Sequence, residues 1–307
     1  MGVFHCPFGC PFYDDDGCID CGMCLANTRE EMIEASKKIR AYLCSHADKK
    51  NGVIKKVAVC GKGGVGKSTI VTLMANVLRG EGYSILVVDT DESNPGLYRM
   101  FGFDRESKPL MTLLSRFTSD ESESNTEWIT RDEIAIQDIP SEYFLSSNGL
   151  KFVMVGKIED PFQGCACSMA DIARDIVGKL AVKDREVVLI DMEAGIESFG
   201  RGVERSVDTV LIIVEPSFES IVIAEKVNYM AEGMGISRVR VILNKIPSEK
   251  VRQKIINDLD NKNIKTIGTV YIDPLVSEAC FEGAALGDSR AAENMARITK
   301  LLLDESR

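Results

Sequence analysis

The stretch that decides the fold is Lys56–Val57–Ala58–Val59–Cys60–Gly61–Lys62–Gly63–Gly64–Val65–Gly66–Lys67–Ser68–Thr69. Gly61 to Ser68 fit the pattern G-x-x-x-x-G-K-S/T. An apolar run precedes them and a helical pattern, Lys67–Arg79, follows, which is the context a phosphate-binding loop requires. Glycines allow backbone N–H groups to turn inward around phosphate oxygens, and the helix N-terminus adds positive potential. Gly61 through Thr69 are therefore the nucleotide-binding candidates. Lys67 is assigned to the β/γ-phosphates and the Ser68 hydroxyl to Mg2+.

Outward from this loop the chain alternates strand and helix. Apolar runs occur at Val57–Cys60, Ile85–Asp89, Phe152–Val155, Val187–Asp191, Val210–Val214, Val239–Leu243 and Ile267–Tyr271. Helical patterns separate them at Lys67–Arg79, Ala170–Leu180, Glu219–Glu232 and Ser248–Leu259. Continuous apolar strands between helices imply a mostly parallel sheet of about seven strands, covered by helices on both faces. The expectation is an α/β P-loop NTPase over residues 54–307, preceded by a small cysteine-rich, metal-binding module over residues 1–50. In that module Thr28 and Glu31 form a capping box ahead of one helix. The acidic segment 118–142 interrupts the alternation and reads as a surface insertion.

Composition narrows the function. The 307 residues are 45% hydrophobic and 27% charged, and 37 Lys and Arg against 47 Asp and Glu give a net charge of −10. This balance disfavours nucleic acid or an anionic membrane as the main partner. No apolar run reaches the length of a membrane span, and the N-terminus reads as neither a signal nor a transit peptide, so the expected location is cytoplasmic. Of ten cysteines, Cys6, Cys10, Cys18, Cys21, Cys24 and Cys44 precede residue 51, while Cys60, Cys165, Cys167 and Cys280 are dispersed. In a reducing compartment such clustering points to metal or redox chemistry rather than disulfides.

Two apolar strands end in carboxylates, Val87–Val88–Asp89 and Leu189–Ile190–Asp191. Ligands bind at that edge of an open parallel sheet, so Asp89 and Asp191 are Mg2+ candidates, Asp191 as the Walker B residue.

The string K-G-G-V-G-K-S-T resembles the deviant Walker A motif of the family that contains the nitrogenase iron protein, the septum-positioning ATPase MinD, the partition ATPases and the arsenite and tail-anchor ATPases. The resemblance covers about residues 54–300. It implies ATP hydrolysis in a homodimer, with Lys62 crossing to the partner's nucleotide. Asp91, in Asp89–Thr90–Asp91–Glu92–Ser93–Asn94, takes the position that orients the attacking water. Asn244, followed by Lys245, resembles the base-reading residue, and the loop Asp273–Pro274–Leu275–Val276 is expected to close over the adenine.

Within the family, Asp191–Met192–Glu193–Ala194–Gly195–Ile196–Glu197, continuing to Gly200–Arg201–Gly202, is similar to the second switch of CooC-type nickel-insertion ATPases. Cys165–Ala166–Cys167 resembles their C-x-C metal site, where two pairs across a dimer give four thiolates for Ni2+ or Zn2+. The resemblance implies a client nickel enzyme, carbon monoxide dehydrogenase or acetyl-CoA synthase. An ATP-driven electron donor like the nitrogenase iron protein is the alternative.

The N-terminal run Cys6-x3-Cys10-x7-Cys18-x2-Cys21-x2-Cys24 lies outside that resemblance. Its last three cysteines resemble the start of a bacterial ferredoxin motif but lack the usual fourth, so a 4Fe–4S cluster, or a structural zinc, would need a ligand from Cys6, Cys10 or Cys44.

Overall fold

The computed structural model describes residues 53–91, 94, 96–113, 127–156, 166–195, 206–236 and 238–306, with scattered positions before residue 53. Its centre is an eight-stranded sheet built of β1 (Lys56–Gly61), β2 (Ser84–Asp89), β3 (Phe144–Ser147), β4 (Leu150–Met154), β5 (Glu186–Asp191), β6 (Thr209–Val214), β7 (Arg238–Ile246) and β8 (Thr266–Tyr271). The spatial order is β8-β7-β6-β1-β5-β2-β4-β3. All neighbours are parallel except β3, which pairs antiparallel with β4 at one edge.

Among the described residues the helices of nine or more residues are α1 (Lys67–Gly80), α2 (Ala166–Lys179), α3 (Phe218–Gly233), α4 (Glu249–Asp260), α5 (Pro274–Glu282) and α6 (Arg290–Asp304). Alternate strand residues feed two separate cores, because side chains of a strand point to opposite faces. Ala58 and Cys60 of β1 join Ile176 of α2, Val227 of α3 and Leu259 of α4. Val57 and Val59 join Ile70 and Met74 of α1 and Met295 and Ile298 of α6. Strands buried on both faces have no polar alternation, which is why β6 reads Thr-Val-Leu-Ile-Ile-Val. Among the described residues no helix is long and apolar enough to cross a membrane.

All seven expected strands are present. The eighth, β3, is an addition. Asn148 and Gly149 (φ +44 and +81) turn it onto β4, and a two-residue Asn-Gly turn with both φ positive suits a right-twisted hairpin.

The insertion reading of 118–142 is corrected where the segment is described. Trp128, Ile129, Ile134, Ile136 and Ile139 are buried in the same core as α2, together with Tyr143. Ile134–Ala135 pairs in parallel with Leu180–Ala181. The polar residues between them made the segment look external, whereas its apolar positions cap the end of the core beside α2.

The Thr28–Glu31 capping box forms reciprocally: Thr28 N–H donates to Glu31 Oε2 at 3.0 Å, and Glu31 N–H donates to Thr28 Oγ1 at 3.2 Å. Cys6, Cys10, Cys21, Cys24, Cys44 and Cys165 lie outside the described residues. Cys18 ends a two-residue strand, Gly17–Cys18, and Cys167 is the second residue of α2.

Candidate nucleotide site at the strand ends

The strand order brings the C-terminal ends of β1, β5 and β2 side by side, with Asp89 directly opposite Asp191. The sheet thereby delivers Gly61, Asp191 and Asp89 to one edge. Gly61, Gly64 and Gly66 adopt φ of +146, +79 and +92. At Gly61 a Cβ would lie 2.6 Å from the Ile213 carbonyl oxygen, and at Gly66 it would lie 2.5 Å from Asn244 Nδ2. Both positions therefore need glycine for space as well as for conformation. Gly66 is the N-cap of α1, no side chain caps it, and the first turn carries no acid. The helix N-terminus is thus left to an external anion. Lys67 is 6% exposed.

The hydrogen bonds tie these parts into one site. Ser68 Oγ donates to Asp191 Oδ2 at 2.6 Å and accepts from Asn94 Nδ2 at 2.8 Å. Thr90 Oγ1 donates to the Asp191 carbonyl at 2.8 Å, and Asp91 N–H donates to Asp89 Oδ1 at 3.1 Å. Asp89, Asp91 and Asp191 are all buried. Burial, with the neighbouring Asp89 carboxylate, pushes the Asp191 carboxyl up to about 7, while the Ser68 hydrogen bond and the Lys67 charge pull it back.

Three buried carboxylates against one buried lysine leave the site short of positive charge. Asp191 Oδ1 is buried without a hydrogen-bond partner. A Mg2+ ion held by Ser68 and, through water, by Asp191 fits that donor set. When bound with nucleotide it supplies positive charge to the phosphate oxygens. Among the described residues, no group of three or more His, Cys, Asp or Glu side chains is arranged to hold a metal by itself.

Beside the loop lies a cavity of about 410 Å³, lined by Gly66, Thr69, Asn244, Tyr271, Asp273 and Ser277 among others. Asn244 Nδ2 donates to the Val65 carbonyl at 2.8 Å, so the expected base reader also holds the loop. Pro274 is the exposed first residue of α5, and its neighbours Asp273, Val276 and Ser277 line the cavity. Both Asp273 oxygens are engaged, by Leu275 N–H at 3.0 Å and Ala291 N–H at 2.9 Å. Lys62 Nζ sits 3.5 Å from Glu215 and 3.9 Å from Glu219 within its own chain. Cys280, assigned no role from sequence, lines the cavity, with Sγ 3.9 Å from Thr69 Oγ1.

Sequence reasoning did not assign Thr90 or Asn94, although both lie in the run Asp89–Asn94 that carries Asp91. It also missed Glu215, which nothing local marks.

Residues 56–286 match the CbiA family, described as the CobQ/CobB/MinD/ParA nucleotide binding domain. The chain belongs to this family. CbiA-family membership with the P-loop geometry makes it a P-loop ATPase of the MinD/ParA class. An uncharacterised ATP-binding protein of Methanocaldococcus jannaschii is 38% identical over 199 residues, 63% of this chain and 80% of that protein. The carbon monoxide dehydrogenase accessory protein CooC of Rhodospirillum rubrum is 31% identical over 240 residues, 76% of this chain and 89% of CooC. Among solved structures, the MinC:MinD cell division complex of Aquifex aeolicus superposes with a TM-score of 0.60 at 18% identity, covering 81% of this chain and 96% of that one. That likeness concerns the fold.

Proposed function

We propose that this ATPase is a dimerising metallochaperone that loads nickel into the metal cluster of a client enzyme of the carbon monoxide dehydrogenase or acetyl-CoA synthase kind, acting in the cytoplasm. The observation that carries the reading is a continuity of chain. Helix α2 has Cys167 in its first turn, next to Cys165, and runs through Leu180–Ala181 into β5, which ends at Asp191. Cys167, the second cysteine of the C-x-C motif, and the Walker B carboxylate thus lie near the two ends of one helix–strand unit. The unit is pinned near its middle: Lys56 Nζ donates to the Val177 carbonyl at 2.7 Å and Lys179 Nζ to the Ile129 carbonyl at 3.0 Å. The 31% identity to CooC supports the same reading.

The nucleotide end has a direct connection to the second switch. Gly195 N–H donates to the Gly61 carbonyl at 3.1 Å, and a Cβ at Gly63 would touch that of Ala194 at 3.6 Å. A change at the phosphate loop therefore acts first on residues 192–195, which leave β5 at Asp191. In the proposed cycle, ATP in both loops draws two chains together, with Lys62 of each reaching the other's nucleotide. Cys165 and Cys167 of the two chains hold the nickel cargo as four thiolates, and hydrolysis releases it. Asp91 orients the attacking water. The N-terminal cysteines hold a separate Fe–S or zinc site.

The spacing Cys18-x2-Cys21-x2-Cys24 favours a second reading, an ATP-driven Fe–S electron donor. Anaerobic purification separates the two. Nickel titration should give one ion per two chains, lost in the double variant Cys165→Ser/Cys167→Ser. Unchanged nickel stoichiometry in that variant overturns the chaperone reading. ATP-dependent bleaching of absorbance near ~400 nm by a partner would favour the electron donor.

A further inference from the structure

Lys245 stands in an unusual backbone position beside the phosphate loop. Its φ is +56, a conformation disfavoured for any residue with a Cβ. The β7–β8 ladder loses register between Leu243 and Ile246 and resumes at Ile246 opposite Tyr271. In a regular strand, the side chains of Asn244 and Lys245 would point to opposite faces. Here both reach the loop, and they take consecutive carbonyls: Asn244 Nδ2 donates to Val65 O, and Lys245 Nζ donates to Gly64 O. The far side of the lysine is 3.5 Å from Glu215 Oε2, and the other Glu215 oxygen is 3.5 Å from Lys62 Nζ.

We propose that Lys245 is a positioning residue of the nucleotide site, which with Asn244 clamps two carbonyls of the loop so that its amides are set for phosphate before nucleotide arrives. In a trans peptide the C=O and N–H point in opposite directions. Holding Gly64 O outward directs the Val65 N–H inward, and holding Val65 O outward directs the Gly66 N–H inward. The Val65 N–H donates to Lys62 O at 3.4 Å, longer than the usual N–H···O bond. Tying the carbonyls away also removes their negative ends from the phosphate's path. A left-handed residue at a register break is the means by which two neighbouring side chains act on one loop, and such backbone strain gathers at functional sites. Glu215 fixes the lysine end and shares its charge with Lys62. The inference rests on the nucleotide site and is independent of the nickel reading.

The test uses the full chain and the variants K245A, K245G and K245R. Calorimetry gives ADP and ATP affinities with Mg2+, steady-state hydrolysis gives KM and kcat, and thermal unfolding controls for folding. K245A and K245G should each weaken ADP and ATP alike by about tenfold, in line with loss of one charged hydrogen bond. KM should rise by a similar factor, kcat should fall less than about threefold, and K245R should recover most of the affinity. Amide exchange at residues 64–67 should quicken in K245A at an unchanged unfolding midpoint. Wild-type affinity in K245G would mean that the position only needs a left-handed residue, and would overturn the proposal. So would a loss confined to kcat, or a K245R variant no better than K245A.

Discussion

Ser68 Oγ and Asp191 Oδ2 lie 2.6 Å apart across 123 residues of sequence, joining the first turn of α1 to the end of β5. The bond makes the phosphate loop and the Walker B strand one mechanical unit. It also leaves the other Asp191 oxygen buried and without a partner. With Asp191 in its proposed role of holding Mg2+ through water, replacing it by Asn should lower kcat by on the order of a hundredfold or more. At pH 8 the metal-free D191N chain should nonetheless unfold at a higher temperature than wild type, because Asp191 faces burial and the Asp89 charge. Hydrolysis assays and thermal melts check both; a D191N chain with wild-type turnover contradicts the assignment.

Lys62 is held by Glu215 and Glu219 of its own chain. For it to serve a partner's nucleotide, these part-exposed contacts must break, and such pairs are worth about 1 kcal/mol or less. K62A should therefore keep ATP affinity within about threefold while losing ATP-dependent self-association, read by light scattering. Retained self-association in K62A would remove the lysine from the proposed interface.

Gly268 in β8 lets α6 lie flat on the sheet. A Cβ there would sit 2.4 Å from Ile298 Cγ1 and 3.0 Å from Cδ1. G268A should cost about 1–3 kcal/mol of stability through overpacking. G268A should cost less in an I298A background than in the wild-type chain, which urea melts of the single and double variants measure. An additive double variant would place the clash elsewhere.

Glu305, just past the end of α6, receives Arg240 at 2.8 Å and Lys265 at 2.7 Å. Burial raises its carboxyl, but the Lys265 hydrogen bond and the Arg240 charge outweigh that and hold it below its ordinary 4.5. A depressed carboxylate stabilises the fold above its unfolded-state pKa, and the gain is lost as pH falls through the folded-state value. E305Q should thus lower the melting temperature at pH 7, with the gap to wild type closing below about pH 4.5. A gap that does not change with pH would assign the effect to packing.

Much of the site was legible because its chemistry is local. Gly61 to Ser68 are contiguous, and Asp89 and Asp191 each end an apolar run, so motif and periodicity located them together. Strand β3 was not read from the sequence: Asn148–Gly149 is a hairpin signal, but the polar residues before it break the alternation. The burial of Trp128 and Tyr143 was not legible. Their apolar positions have no regular period, and they gain a core only because α2 and Leu180–Ala181 lie alongside.

By itself the sequence determined the family, the phosphate loop, the carboxylates and the seven parallel strands, because each depends on residues close in the chain. Tertiary structure decided the rest. Glu215 takes up Lys62 and Lys245 because β1, β6 and β7 end at the same edge. The reach of Lys245 to Gly64 spans 181 residues of sequence and depends on a register break and a left-handed backbone, which local sequence patterns do not reveal.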